Sequence, residues 1–415
     1  MKAWLIALVV VLLAAAVFAG RSLSMSVDHR ADVAATPEMV TRGAYLTRAA
    51  DCMVCHTRAG GAAYAGGREF DLGAMGKLYT PNITPDKATG IGDWTDDDFR
   101  SAMQLGIGRG HKFLYPAFPY ASYTLISDAD VLAIKAYLFS LAPVSATPPP
   151  NAMRFPFNQR FLMAFWNTLF NPRARLLADA SQSPEWNRGR YLVEGLGHCG
   201  ECHTPRNLLQ ARKSSAAYAG AIAQKWHAYN ISSDKQTGIG GWSDAALFDY
   251  LSTGHADGHG SASGPMAEVV QHSLQFLEPS DIRAMIVYLR SVAARPASEA
   301  GVRVAQQSST GEDLAYGKSL YVGICANCHR LDGSGAQTPY QTLTGASTLR
   351  DARVANLMQV VLHGSSITTP AGENKMPAFA SGYRDSELAA VINYATHQLA
   401  GREAGLSAAD IAAQR

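Results

Sequence analysis

Three stretches share one helical rhythm of apolar positions: Asp128–Leu141, Ser280–Val292 and Asp385–Leu399. Apolar side chains at that spacing predict helices that pack one face on a core. Each stretch carries an acidic residue seven positions before a tyrosine, as Asp130/Tyr137, Asp281/Tyr288 and Glu387/Tyr394. Aspartate and serine at the starts are N-cap chemistry, and acid in a first turn suits the helix dipole. The period-two alternation of strands is scarce. The pattern predicts a mainly α protein, with glycine- and proline-rich loops between short helices.

Two apolar stretches stand apart from this rhythm. Ala3 to Gly20 is an 18-residue run without charge, between Lys2 and Arg21. Small residues at Val17 and Ala19 fit an export signal cleaved after Ala19, and the length also suits an uncleaved anchor with Lys2 on the cytoplasmic side. On either reading, Arg21 onward is exported. The second stretch is aromatic: Phe155, Phe157, Phe161, Phe165, Trp166 and Phe170. Such a stripe either packs between domains or meets a membrane surface or a partner.

The three helical stretches close three similar segments. The first two segments open on Arg42-Gly-Ala-Tyr-Leu and Arg188-Gly-Arg-Tyr-Leu, the third more loosely on Tyr316-Gly-Lys-Ser-Leu. Asn82-Ile83, Asp86-Lys87, Thr89-Gly-Ile-Gly92, Trp94, Gly106 and His111 all recur 148 residues later, ending at Gly254 and His259. Internal similarity of this kind marks one structural unit used several times. The expected organisation is a signal or anchor at 1–20, domains at 37–142, 183–293 and 314–400, linkers at 143–182 and 294–313, and a tail at 401–415. Pro148-Pro-Pro150 lies in the first linker, and the second is polar and rich in small residues.

Composition narrows the classes. The chain has 415 residues, 47% hydrophobic and 17% charged, with a formal net charge of +2. Its length suits about three domains, and its apolar content excludes a disordered chain. Only one uninterrupted run approaches membrane-spanning length, which excludes a multi-span protein. A near-neutral chain lacks the clustered cations that nucleic acid requires. No nucleophile triad or phosphate-cradling loop stands out. Gly106-Ile-Gly108-Arg-Gly110 follows a helix rather than a strand, so it is not a dinucleotide fingerprint.

Cysteine carries the chemistry. The six cysteines form three C-x-x-C pairs, Cys52/Cys55, Cys199/Cys202 and Cys325/Cys328, each followed directly by histidine: His56, His203 and His329. Zinc ribbons need two such pairs per site, and a thioredoxin motif needs a βαβ setting. Disulfides in an exported chain leave the three histidines unexplained. C-x-x-C-H is the attachment sequence of haem c. On a helical turn i and i+3 share one face, so the two thiols meet the vinyl groups on one porphyrin edge. The adjacent histidine is the proximal iron ligand. Three haem c groups are expected.

A sixth ligand is commonly methionine, whose soft thioether raises the potential. Met266 lies 67 residues after Cys199, in Ser263-Gly-Pro-Met; Met376 lies 51 after Cys325, in Asn374-Lys-Met-Pro. Both precede the final helix of their segment. At the position 148 before Met266 stands Phe118, which cannot bind iron. The first haem therefore either lacks a strong protein ligand or takes His111, Met103 or Met75. Arg58 and Arg206 either pair with propionates or face solvent, and Trp94 and Trp242 pack near a haem edge or in ordinary core.

With these motifs, residues 37–400 resemble the three-haem cytochrome c subunits of bacterial membrane-bound dehydrogenases of the alcohol, aldehyde and gluconate type. The most specific stretches are Tyr79-Thr-Pro-Asn-Ile-Thr-Pro-Asp86, Thr89-Gly-Ile-Gly-Asp-Trp94, Leu114-Tyr-Pro-Ala-Phe-Pro-Tyr120 and Cys199-Gly-Glu-Cys-His-Thr-Pro-Arg206. Many relatives have methionine where Phe118 stands, so methionine ligation does not carry over to the first haem. The resemblance implies a periplasmic place on the inner membrane. It also implies a catalytic partner subunit carrying pyrroloquinoline quinone, flavin or a molybdenum cofactor, with electrons passing through the haems to ubiquinone or an oxidase. Alternatives are a haem enzyme acting at a five-coordinate first haem, peroxidase-like or gas-binding, and a diffusible carrier or oxidase subunit.

Overall fold

The structure, a computed structural model, describes residues 31–297 and 311–415. The charge-free run at 3–20 and most of the 294–313 linker lie outside the described residues. The chain divides into two units. One comprises the residues up to Glu201 with Leu208–Ala211, the other Cys202–Asn207 with Arg212–Arg415. The divide falls inside the second C-x-x-C-H motif.

The first unit is organised by α1 (Pro37–Ala49), which packs on a helix near residue 130 after two short elements, α2 (Cys52–Cys55) and α3 (Asp96–Arg100). That partner is α4 (Asp128–Ser140). Thr36 caps α1 by accepting from the Met39 N–H at 3.2 Å, with Pro37 in its first turn. Gly43 gives α1 its close approach to α4: a Cβ there would overlap the Ala133 carbonyl. Leu46, Ile134 and Leu138 are fully buried. Arg42 Nε donates to Asp130 at 2.6 Å, and Tyr191 Oη donates to the same carboxylate at 2.6 Å. The repeated acid of the helical stretches thus has a structural use on α4, whose start is capped by Ser127.

The first linker is folded. Ala152–Met153 pairs antiparallel with Gly76–Tyr79, which in turn pairs with Glu69–Asp71. Helix α5 (Leu162–Phe170) buries Ala164, Asn167 and Thr168, while Phe161, Phe165 and Leu169 stand exposed. Of the aromatic stripe, Phe155, Phe157, Phe161 and Phe165 are exposed, while Trp166 packs on Tyr120 and Phe170. Helix α6 (Pro184–Arg190), the opening of the expected second domain, belongs to this unit.

The second unit begins within the short helix α7 (Gly200–His203), then follows α8 (Asp244–Thr253), α9 (Pro265–His272) and α10 (Pro279–Ser291). After the undescribed segment come α11 (Gly311–Ile324), α12 (Ala326–His329), α13 (Ala355–His363), α14 (Asp385–Ala400) and α15 (Ala408–Ala412). The pair α11 and α14 meets as α1 meets α4, with Gly317 against the Ala390 backbone. Tyr321, Met358, Leu362, Ile392 and Ile411 share one buried cluster.

The final helices match their expected spans within a residue or so, but their caps differ. Of the three, only α4 has a serine cap. Glu278 precedes α10 with no side-chain cap bond, and at α14 the Arg384 N–H donates to Glu387 Oε2 at 2.7 Å. The tail at 401–415 is packed rather than trailing. Asn393 bonds Leu406 in both directions, at 3.0 and 2.9 Å, and Ile411 is fully buried.

Candidate functional site

Each C-x-x-C-H motif sits on a single helical turn behind the N-terminal helix of its segment. Cys52 and Cys55 span α2, entered through Asp51 in the left-handed region at φ 52°. Cys325 precedes α12, which carries Cys328 and His329. Cys52, Cys325 and Cys328 are thiols rather than halves of disulfides. Burial pushes the Cys325 thiol up to about 11, with the Cys328 charge adding to it. Burial likewise pushes Cys52 well above the ordinary thiol range.

The three histidines share one arrangement. Nδ1 of His56 lies 2.8 Å from the Pro81 carbonyl, that of His203 2.6 Å from the Tyr229 carbonyl, and that of His329 2.6 Å from the Gln341 carbonyl. A carbonyl can only accept, so Nδ1 carries the proton and Nε2 presents its lone pair. Burial holds all three imidazoles below their ordinary pKa, against the opposing pull of the carbonyls. A neutral imidazole with a fixed tautomer is the form that ligates a metal.

The surroundings of the first two histidines make matching bonds, with the asparagine, aspartate and threonine side chains at the offset of 148. Asn82 Nδ2 donates to Thr89 at 3.0 Å and to the Val144 carbonyl at 2.7 Å; Asn230 Nδ2 donates to Thr237 at 3.0 Å and to the Arg295 carbonyl at 2.9 Å. Thr89 N–H donates to Asp86, and Thr237 N–H to Asp234, each at 2.7 Å. The asparagine thus ties the loop after the proximal carbonyl to the chain leaving the final helix. That explains why Asn, Asp, Thr and Gly recur together.

The candidate sixth ligands fall in different settings. Met376 ends the strand Gly372–Met376, opposite Ser365, and is half-buried against the cluster that Cys325 also borders. Met266 is half-buried in the first turn of α9 rather than in a loop. Phe118 packs on Tyr123 with ring centroids 5.4 Å apart. His111 is exposed at φ 59° in the turn joining Ile107–Gly108 to Lys112–Phe113. Met103 is core, 5% exposed. Met75 is half-buried in the turn before Gly76–Tyr79, and its carbonyl accepts from the Arg154 N–H at 2.9 Å. Arg58 and Arg206 are exposed. Trp242 stacks on His259 at 3.6 Å and 14°, which gives that histidine a packing role.

Several residues gave no sequence signal. The carbonyls of Pro81, Tyr229 and Gln341 are main-chain groups that any residue supplies. Arg68 Nη1 donates to the Val54 carbonyl inside the first motif at 2.9 Å. Tyr123, buried, donates to the Ala50 carbonyl at 2.8 Å, and its ring meets that of His198 at 5.6 Å.

The family described as Cytochrome c matches residues 40–142 and 314–397. The chain is 38% identical over 396 residues to the fructose dehydrogenase cytochrome subunit of Gluconobacter japonicus, covering 89% of this chain and 81% of that protein. It is 37% identical over 414 residues to the gluconate 2-dehydrogenase cytochrome c subunit of Pantoea cypripedii, covering 94% and 93%. The chain belongs to the family of dehydrogenase cytochrome c subunits. It is also 43% identical over 369 residues to a nicotinate dehydrogenase subunit of Pseudomonas putida, covering 87% of this chain but only 30% of that protein's length. Membership makes haem c the cofactor. The donors present suit it: thiols three apart on one turn, and a neutral imidazole beside the second.

Proposed function

We propose that this chain is a three-haem electron-transfer subunit, built of three cytochrome c domains. It takes electrons from a dehydrogenase catalytic subunit carrying pyrroloquinoline quinone, flavin or a molybdenum cofactor, and passes them to ubiquinone or an oxidase. Its place is the periplasmic side of the inner membrane. The observation that carries the reading is the matching Nδ1-to-carbonyl contact at His56, His203 and His329, each beside a C-x-x-C pair.

The haem iron supplies the one-electron chemistry. Cys52, Cys55, Cys199, Cys202, Cys325 and Cys328 bind the groups covalently. The three histidines are the proximal ligands, and Met266 and Met376 complete the second and third sites. Tuning then follows axial ligand and burial. Phe118 supports a first site without a strong sixth ligand, and so a second reading in which a small molecule binds there.

The test uses the full chain purified from membranes. Pyridine haemochrome and intact mass should give three haems, each removed by its own Cys-to-Ser pair. A catalytic dehydrogenase subunit should co-purify, and its substrate should reduce the haems. Fewer than three haems, or haems that no co-purifying subunit reduces, would overturn the proposal.

A further inference from the structure

The carbonyl that orients His203 belongs to Tyr229, and the strand leading to it is Trp226–Ala228. His227 on that strand is held by a residue far along the chain. Its N–H donates to Asn356 Oδ1 at 2.7 Å, and Asn356 Nδ2 donates back to the His227 carbonyl at 2.9 Å. This two-way bond does for the strand what a neighbouring strand would do. Both residues are buried, and Asn356 lies on α13 of the third segment.

The His227 ring is gripped as well. Nδ1 lies 2.8 Å from Asp351 Oδ2, and Arg353 Nη1 lies 3.1 Å from Nε2. Arginine only donates, so Nε2 accepts and Nδ1 holds the proton. The ring packs edge-on against Tyr229, with centroids 4.8 Å apart. On the far side of Tyr229, Asn230 is tied to Thr237 and the Arg295 carbonyl. The Tyr229 carbonyl is thus fixed from both flanks.

The first site shows the first of these two bonds, with a different owner. At the equivalent of His227 stands Tyr79, whose N–H donates to Asn151 Oδ1 at 2.8 Å. Asn151 comes from the first linker, only 72 residues on, and the bond is exposed. In the second site the asparagine comes instead from the third segment, 129 residues on, and the bond is buried.

We infer that Asn356, with Asp351 and Arg353, is the positioning set for the second haem's proximal histidine, so that the third segment tunes the second iron. This rests on the three-haem reading above. A firm Nδ1–H···O=C bond raises the basicity of Nε2, which favours ferric iron. Loosening the strand weakens that bond and raises the potential of the second haem alone.

The experiment is potentiometric titration and EPR of the full, haem-loaded chain, comparing wild type with Asn356→Ala. The second haem is assigned as the signal changed by Met266→Ala. The expected result is a several-fold higher reduced-to-oxidised ratio for that haem at a fixed potential and a change in its low-spin signal, with the third haem unmoved. Asn151→Ala should instead move the first. Should Asn356→Ala fail to accumulate, Arg353→Gln, which spares both Asn356 bonds, is expected to give a smaller shift of the same sign. An unmoved second haem in the folded variant, or equal shifts at all haems, overturns the inference. A wild-type haem content below three overturns the underlying reading instead.

Discussion

Gly43 lies directly against the backbone carbonyl of Ala133, and Gly317 stands in the same relation to Ala390. In both pairs, α1 with α4 and α11 with α14, a glycine on the earlier helix lets it reach the main chain of the later one. No side chain fits between them.

Gly317→Val is therefore expected to cost at least about 1–3 kcal/mol, the usual penalty of overpacking, because backbone cannot retreat as a side chain can. Gly311→Ala, at an open position of the same helix, should leave stability unchanged. Thermal unfolding of the oxidised protein distinguishes the two outcomes.

The Phe118 site gives a spectroscopic prediction. Wild-type reduced protein should bind carbon monoxide at one haem of three. Phe118→Met should abolish that binding, and Met376→Ala should add a second binding haem with a lowered potential. Carbon monoxide difference spectra with redox titration check all three.

Asn230 is 4% exposed and donates to both Thr237 and the Arg295 carbonyl, while its Oδ1 accepts from the Ser232 N–H at 2.9 Å. Asn230→Ala strands these partners in the interior and is expected to cost about 1–3 kcal/mol. Denaturant unfolding of the variant and of Asn82→Ala should give similar losses, since the two networks match.

Asp351 supplies a pH dependence. Burial opposes its ionisation, but the hydrogen bond from His227, with the backbone hydrogen bond and charge of Arg353, outweighs it and leaves the carboxyl below its ordinary pKa. Arg402 also bonds the Asp351 carbonyl from the turn after α14. A depressed folded-state pKa stabilises the protein above the unfolded value of about 3.9, and that contribution fades as pH falls through the folded value. Asp351→Asn should lower stability at neutral pH and flatten the acid side of the profile, measured by thermal unfolding between pH 3 and 7.

Much of this was legible in the sequence. The motif histidines, the 148-residue offset and the three closing helices all rest on side-chain chemistry or periodicity, which a string of letters displays. The caps of α10 and α14 depart from expectation because proline at 279 and the Arg384–Glu387 pair compete with the serine and aspartate beside them. The folded first linker was signalled only by its aromatic stripe, because Asn167 and Asn171 are polar and their burial depends on bonds to distant carbonyls. His227 and Asn356 were invisible for a related reason. Nothing local in either residue announces a partner more than a hundred positions away.

His56, His203 and His329 all lean on oxygen atoms of the polypeptide itself. Such an oxygen is present whatever codon stands at that position, so point mutation cannot delete it or exchange it for a stronger base. On the function proposed above, variation of the redox potentials is thereby channelled away from the imidazole's support and toward the side chains proposed for the opposite face of the haem, where a single replacement exchanges sulfur for a benzene ring.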